Sequence, residues 1–336
     1  MPSPALSLLT RDRLHELLGG MRDRRVVIVG DAMLDVYLYG DVERISPEAP
    51  VPVVRVRERR YALGGAANVA QNVAAAGASG LLVATVGNDA AGQRLRAMLA
   101  ALSADAQGLI EVGRPTTTKT RLVARAQQVV RFDEEEDEDL STSDVARIGE
   151  RLDALLADAD ALVLEDYNKG VLVPAVIERA IAAARRRAIP IVVDPKFRNF
   201  FAFRGATIFK PNRRELESAL GAEVSLDAAD ALPEVFRRLG VEHLLLTLGE
   251  RGMALVSADG TVDRIPTTAR EVYDVVGAGD TVTAYLATAL AVGASAHEAA
   301  VVANFAAGVE VGKLGAATVT PGEIIEAYDA HAAGAT

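Results

Sequence analysis

With 336 residues, half of them apolar, the chain can bury one large α/β core or two smaller ones. A net charge of −10, few aromatics and no tryptophan argue against a nucleic-acid surface, which needs clustered positive charge or stacking platforms. The absence of cysteine excludes disulfides, thiolate metal sites and cysteine nucleophiles, and four scattered histidines (His15, His243, His297, His331) speak against a histidine metal site or hydrolase triad.

No apolar run is long enough to cross a bilayer, and residues 1–24 lack the basic start and apolar run of a signal peptide. They read as a helical extension capped by Thr10, and with the lack of cysteine this fits a cytoplasmic protein. Arg25 to Gly30, RVVIVG, is a β-branched run ending in glycine, the pattern of a buried strand. Asp31 and Asp35 follow it, where open α/β sheets bind ligands; Asp31 can equally cap a turn. From about residue 36 to 63 apolar and charged residues alternate between prolines, which suggests edge strands projecting from the main body. Gly64-Gly65 then turns into an Ala-rich helix carrying Asn68, Gln71 and Asn72, either on a solvated face or beside a backbone-lined substrate pocket.

LLVATVG (81–87) is a second buried strand. Residues 114–132 form a further pair of β segments bearing Lys119, Arg121, Arg125 and Arg131, which solubilise an exposed face or hold a substrate phosphate. The acidic block DEEEDED, Asp133 to Asp139, is expected to be a solvated loop before a helix. Beyond Ser143 strands and helices alternate regularly, which means βαβ units and a doubly wound, mostly parallel sheet with a small inserted β lid. Those strands end in polar residues: Glu165-Asp166, Asp194-Pro195-Lys196 and Lys210-Pro211-Asn212. Asn212 and Glu215 can share a site or form a helix capping box. Thr247, Gly249 and Gly252 bring backbone to a ligand or simply close a hairpin, and Asn304 lines a pocket or satisfies a core hydrogen bond.

The stretch Glu271 to Leu290 joins a glycine-rich turn, Gly277-Ala278-Gly279, to an apolar helix. Unobstructed amides and the positive end of the helix dipole favour an anion there. Asp280 stands beside that anion position, where a carboxylate is costly unless it accepts a proton from an attacking hydroxyl. RVVIVGDAMLD has no Gly-x-Gly-x-x-Gly, which disfavours a dinucleotide oxidoreductase.

Two motifs in this order, Gly64-Gly65-Ala66-Ala67-Asn68-Val69-Ala70 and Asp274-Val275-Val276-Gly277-Ala278-Gly279-Asp280-Thr281, resemble those of the ribokinase-like (PfkB) carbohydrate kinases, and the resemblance runs from Arg25 to Val319. It implies a kinase domain over residues 25–320 and a C-terminal helix and tail over 321–336. It implies Asp280 as general base, with Gly277, Ala278 and Gly279 as the anion hole. Asp35, Gly64, Gly65 and Asn68 fall at sugar-binding positions, and Asn212, Glu215, Thr247, Gly249, Gly252 and Asn304 at nucleotide-binding ones. ATP and Mg2+ are the expected cofactors, the metal organised by Asn212 and Glu215 through water, and Asp274 would serve a K+ ion. DAMLDVYLYGDVERISPEAPVPVV, TTTKTRLVARAQQVVRFDEEE, DYNKG and DPKFRNF are similar to stretches of the D-glycero-β-D-manno-heptose-7-phosphate kinases. That gives Lys119, Arg121, Arg131 and Lys196 a substrate phosphate to hold. Val36 stands where that group has arginine and is expected on the sugar side. The nucleotidyltransferase half of bifunctional members is expected from a separate protein, and the exposed β segments are expected to join two copies into a homodimer.

Overall fold

The computed structural model describes residues 9–102, 108–124, 127–226 and 232–334. Arg125 of the basic cluster, the first eight residues of the helical extension and the last two of the tail lie outside the described residues. Helix α1 (Arg11–Gly20) starts at Thr10, whose Oγ1 accepts the Arg13 amide at 3.2 Å, and buries Leu14, Leu17 and Leu18, spaced to share one face. Strand β1 (Arg25–Gly30) follows and becomes an interior strand, third from one edge, of a nine-stranded sheet. Its run of β-branched residues serves both faces: Val26 and Ile28 enter one hydrophobic cluster, Val27 and Val29 the other. That is why no alternation is visible in its sequence.

The other strands of the large sheet are β4 (Ser79–Gly87), β5 (Leu109–Val112), β8 (Ala161–Glu165), β9 (Ile191–Asp194), β10 (Ile208–Phe209), β11 (His243–Thr247), β12 (Met253–Ser257) and β13 (Val262–Ile265). The order is β13-β12-β11-β10-β9-β8-β1-β4-β5, parallel from β11 through β5 and antiparallel at the β11-β12-β13 edge. From β1 the chain first winds outward through β4 and β5, then returns to the other side of β1 at β8. The carboxyl ends of strands on either side of such a switch point form a crevice. Helices α2 (Ala66–Ala75), α8 (Ala278–Ala291) and α9 (Ala296–Glu310) pack on one face; α4 (Thr142–Leu156) and α5 (Pro174–Arg186) pack on the other. The alanine content of α2, α8 and α9 lets them sit close to the sheet and to one another, and Ala66, Ala284, Ala287, Ala300 and Ala303 are fully buried.

A second, four-stranded sheet of order β3-β2-β6-β7 rises from this crevice. It comprises β2 (Ala32–Ile45), β3 (Pro52–Gly65), β6 (Thr118–Ala124) and β7 (Gln127–Glu134). The prolines fall in or beside the hairpin turn at the start of β3, an edge strand, where a missing N–H costs nothing. Strand periodicity corrects one expectation here. Asp35 points to the crevice, so Val36, its neighbour, points away and lines an outer cleft with Leu34, Leu38, Thr118 and Thr120. Val36 faces away from the cavity that Asp35 lines. Among the described residues no helix is long and apolar enough to cross a membrane.

Candidate active site

The first turn of α8 brings Asp280 to the floor of the crevice, 5% exposed. Its carboxylate accepts two hydrogen bonds from distant parts of the chain. Asn68 Nδ2 donates to Oδ2 at 2.7 Å, and the Tyr167 hydroxyl donates to Oδ1 at 2.8 Å. Asn68 is itself oriented by Asn72, whose Nδ2 reaches the Asn68 carbonyl at 3.0 Å and Oδ1 at 3.3 Å. Thr281 Oγ1 reaches Asn72 Oδ1 at 3.3 Å, so α2 and α8 are locked together through this amide chain. Both asparagines are buried, which closes the solvated-face alternative for them. Burial pushes the Asp280 carboxyl up to about 6, with the bonds from Asn68 and Tyr167 pulling it down.

Tyr167 is not among the residues the sequence points to. Its position is set by Asp31, whose carboxylate accepts the amides of Tyr167 at 2.8 Å, Lys169 at 3.0 Å and Val171 at 3.2 Å. Asp31 therefore serves as the turn cap allowed for it above, gathering the loop after β8. The available signal was a hydroxyl directly beyond the polar strand end Glu165-Asp166, but its partner lies 113 residues further along the chain.

Two glycines are required by local geometry. Gly65 has φ +55°, and a Cβ there would lie 2.4 Å from the Asp31 carbonyl oxygen. Gly277 caps α8 at φ +95°, and a Cβ would lie 3.0 Å from Asn68 Nδ2. A side chain at either position collides with the groups that hold the carboxylate.

The turn at 276–280 divides two cavities. The first, about 220 Å3, lies under the second sheet and is lined by Asp35, Gly64, Gly65, Asn68, Lys119, Arg121, Arg131, Tyr167, Gly277 and Asp280 among others. Seven of the eight residues assigned above to the sugar thus meet in one place. The eighth, Lys196, is not part of that lining; its ammonium pairs with Glu215 and lies 5.4 Å from the centre of the Tyr167 ring. The second cavity, about 510 Å3, holds Asn212, Thr247, Gly249, Gly252 and Asn304 between apolar walls that include Val272, Val275, Val282 and Val311, and ends at Ala278 and Gly279. Asn304 lines it while donating to the Pro266 carbonyl at 2.8 Å. Gly249 and Gly252 flank the turn that joins the antiparallel strands β11 and β12.

Beneath the turn sits a buried charge cluster. Lys210 Nζ pairs with Asp194 Oδ2 at 2.7 Å. Glu165, Asp194 and Asp280 each offer a carboxylate oxygen within 4.8 Å of the others. Burial first, then the charges of Asp194 and Asp280, push Glu165 well above the usual carboxylate range, and neither of its oxygens has a hydrogen-bond partner. Burial opposes the Lys210 ammonium, but Asp194 and Glu165 outweigh it and hold its pKa up.

Asn212 and Glu215 form the capping box of helix α6 (Arg213–Leu220): Asn212 Oδ1 accepts the Glu215 amide at 2.9 Å and Glu215 Oε2 accepts the Asn212 amide at 2.8 Å. Asp274 ties two loops, accepting the amides of Val276 and Gly315 at 3.1 Å each. The acidic block is the expected solvated loop before a helix over Glu136 to Asp139, which are exposed, but not at its start. Asp133 and Glu135 are half-buried and bind Lys119 Nζ at 3.1 and 3.0 Å, and Glu135 also binds Lys169 at 2.7 Å. The cause is register: β6 pairs with β7 so that Lys119 faces Asp133.

Two cavities that meet at a glycine-rich helix start beside a buried carboxylate are the arrangement of an enzyme that moves a group between two small molecules. Residues 23–322 match the pfkB family carbohydrate kinases, and the chain belongs to that family. The fold is ribokinase-like. Phosphofructokinase-2 from Escherichia coli, solved with substrates and products, superimposes with TM-score 0.76 at 21% identity, covering 91% of this chain and 99% of that one. Ribokinase of Arabidopsis thaliana, complexed with ribose and ATP, gives 0.71 at 20% identity over 91% and 98%. In sequence the chain is 46% identical over 317 residues to the bifunctional protein HldE of Gluconacetobacter diazotrophicus, covering 93% of this chain and 66% of that protein. It is 44% identical over 329 residues to that of Rhodospirillum rubrum, covering 97% and 65%. The chain spans just under two thirds of the length of these curated relatives.

Proposed function

We propose that the chain transfers the γ-phosphoryl group of ATP to the anomeric hydroxyl of D-glycero-β-D-manno-heptose 7-phosphate, giving the 1,7-bisphosphate used for ADP-heptose and lipopolysaccharide precursors. The observation that carries the reading is the shared wall of the two cavities: Gly277 borders the smaller one and Ala278 and Gly279 the larger, with Asp280 at the junction. A sugar under the second sheet and a nucleotide between the valines would meet only there. Asp280 takes the hydroxyl proton, the sugar oxygen bonds to the γ-phosphorus, and the bond to the bridging oxygen breaks, leaving ADP. The amides of Gly277 to Gly279 receive the charge on the transferring group. The kinship to the HldE proteins and the cationic lining of the smaller cavity by Lys119, Arg121 and Arg131 support a sugar that already carries a phosphate.

A divalent cation fits the residues present. Glu165 has two unpartnered buried oxygens beside Asp194, and Asn212 lines the nucleotide cavity with Glu215 bound to it in the capping box. Magnesium bound with ATP supplies neutralisation of phosphate charge. Asp274, bridging the loops that flank the turn, is the residue we assign to a K+ ion.

A second reading, an unphosphorylated sugar, draws on the pairing of Arg121 with Asp35 and of Lys119 with Asp133 and Glu135, which neutralises these cations within the protein. ADP release with heptose 7-phosphate, its dephosphorylated form, ribose and fructose 6-phosphate, with Mg2+ and with or without K+, separates the two. Heptose 7-phosphate is expected to give the highest kcat/KM, with K+ raising it; clear preference for an unphosphorylated sugar sinks the first reading.

The second sheet is also the proposed dimer contact. Its hairpin and edge strands expose Ile45, Val51, Val56, Val129, Val130 and Phe132, each between 43% and 62% accessible. Sedimentation as a dimer at micromolar concentration is expected, and a persistent monomer would overturn it. A nucleotide-dependent reaction of this kind belongs in the cytoplasm.

A further inference from the structure

The two central positions of the β6–β7 hairpin present like charges to the sugar cavity. Arg121 lies directly opposite Arg131, and Lys119, two residues earlier on the same face, lies opposite Asp133. Like charges opposite one another destabilise a strand pair unless anions are shared among them. Two of the three cations find anions within or next to their own hairpin. Lys119 Nζ takes Asp133 and Glu135, and Arg131 Nε takes Asp133 at 3.1 Å.

Arg121 does not. Its guanidinium reaches across to β2, lies 5.3 Å from the centre of the Tyr37 ring, and pairs with Asp35 Oδ1. The pair is largely buried, with side-chain exposures of 14% for Arg121 and 8% for Asp35. The other oxygen of Asp35, Oδ2, is turned to Gly64, close enough that a Cβ there would stand 2.8 Å from it. Both members of the pair are therefore walls of the sugar cavity, and Arg121 occupies one of the two Asp35 oxygens.

A sugar hydroxyl that claims Asp35 Oδ1, the oxygen paired with Arg121, must take it from that guanidinium. A neutral sugar then leaves a buried guanidinium without a partner, which is a penalty against that sugar. A sugar with a phosphate remote from the accepting hydroxyl brings its own anion. Guanidinium and phosphate match in a two-point hydrogen-bonded geometry, and Arg131 stands on the far side to share the charge.

We propose that Arg121 sets selectivity for phosphorylated sugars by ion-pair exchange: it leaves Asp35 for the substrate phosphate and frees Asp35 for the sugar hydroxyls. The inference rests on the sugar-kinase reading of this cavity. It differs from simple attraction by a basic patch, because the same residue also blocks Asp35 against neutral sugars. Lys119 and Arg131, held by acids outside the sugar position, lack that second effect.

The test is kcat/KM for the sugar 7-phosphate and for its dephosphorylated counterpart, on wild type, Arg121→Gln and Arg121→Lys. Arg121→Gln is expected to lower the value for the phosphate about 100-fold and to raise the value for the neutral sugar, collapsing the selectivity ratio. A neutral-sugar value that does not rise leaves only attraction and overturns the exchange. Arg121→Lys keeps a charge but loses the planar two-point contact, and its ratio is expected to fall about tenfold. A ratio unchanged from wild type in Arg121→Gln, whether both values fall together or neither moves, overturns the exchange. If Arg121→Gln does not fold, the ratio in Arg121→Lys decides, and an unchanged ratio there overturns it equally. Failure of the underlying reading looks different: the wild type itself then turns over neither sugar or prefers the neutral one.

Discussion

Asp280→Asn is expected to lower kcat by about 10²–10⁴-fold, the usual contribution of a positioned base, while leaving the protein folded. The substitution is isosteric, and the donors that meet the carboxylate, Asn68 Nδ2 and the Tyr167 hydroxyl, keep an oxygen to donate to or rotate to accept. Burial has raised the Asp280 carboxyl from 3.8 to about 6, so at neutral pH the ionised group opposes folding, and that penalty is relieved as pH falls through about 6. Removing the charge should therefore leave the melting temperature at pH 7.5 unchanged or raised. The same shift sets the acid limb of the wild type: kcat/KM for the free enzyme should decline below about pH 6, where the base becomes protonated. Measuring turnover, melting temperature and the pH profile together makes the assignment specific. Near wild-type turnover in Asp280→Asn would remove this carboxylate from the chemistry.

What the sequence made legible was local. RVVIVG reads as a strand because its neighbours in sequence are enough to show it, and Gly277-Ala278-Gly279-Asp280 reads as an anion-binding helix start for the same reason. The polar strand ends were visible as a set because a parallel sheet puts every carboxyl end on one edge. Pairings across the fold were not visible. The bond from Asn68 to Asp280 spans 212 residues and that from Tyr167 spans 113, and nothing in either segment names its partner. The acidic block reads as a solvated run, and most of it is exposed, but the register that sets Asp133 opposite Lys119 could not be seen in its charge alone. Val36 is a different case. If Asp35 faces the sugar, two-residue periodicity already turns Val36 outward, so the information was present in the strand pattern and was overridden by a positional analogy. Residue by residue, chemistry on one element was readable, and chemistry made between elements had to wait for topology.

Lys210 shows the same division and carries the largest expected effect on stability. In sequence it is only a polar strand end; in the fold it is 3% exposed and holds Asp194 at 2.7 Å beside the unpartnered Glu165. Lys210→Met fits the methylene volume but leaves those carboxylates without their cation. Breaking a buried pair in this way typically costs about 3–5 kcal/mol, so the variant should lose that order of stability in urea unfolding at pH 8. The sign with pH follows from the charges that remain. Glu165 is already pushed well above the usual carboxylate range by burial and by Asp194 and Asp280. Without Lys210 the cluster has more to gain from binding a proton, so lowering the pH toward 5.5 should raise the stability of the variant by more than it raises that of the wild type. The double variant Lys210→Met with Asp194→Asn removes the orphaned charge as well and should recover more stability than the single variant holds at pH 8. If Lys210→Met unfolds at the wild-type urea midpoint at pH 8, the ammonium is not what keeps this cluster of acids in the core, and proton uptake by Glu165 or a cation bound among Glu165, Asp194 and Asp280 takes its place.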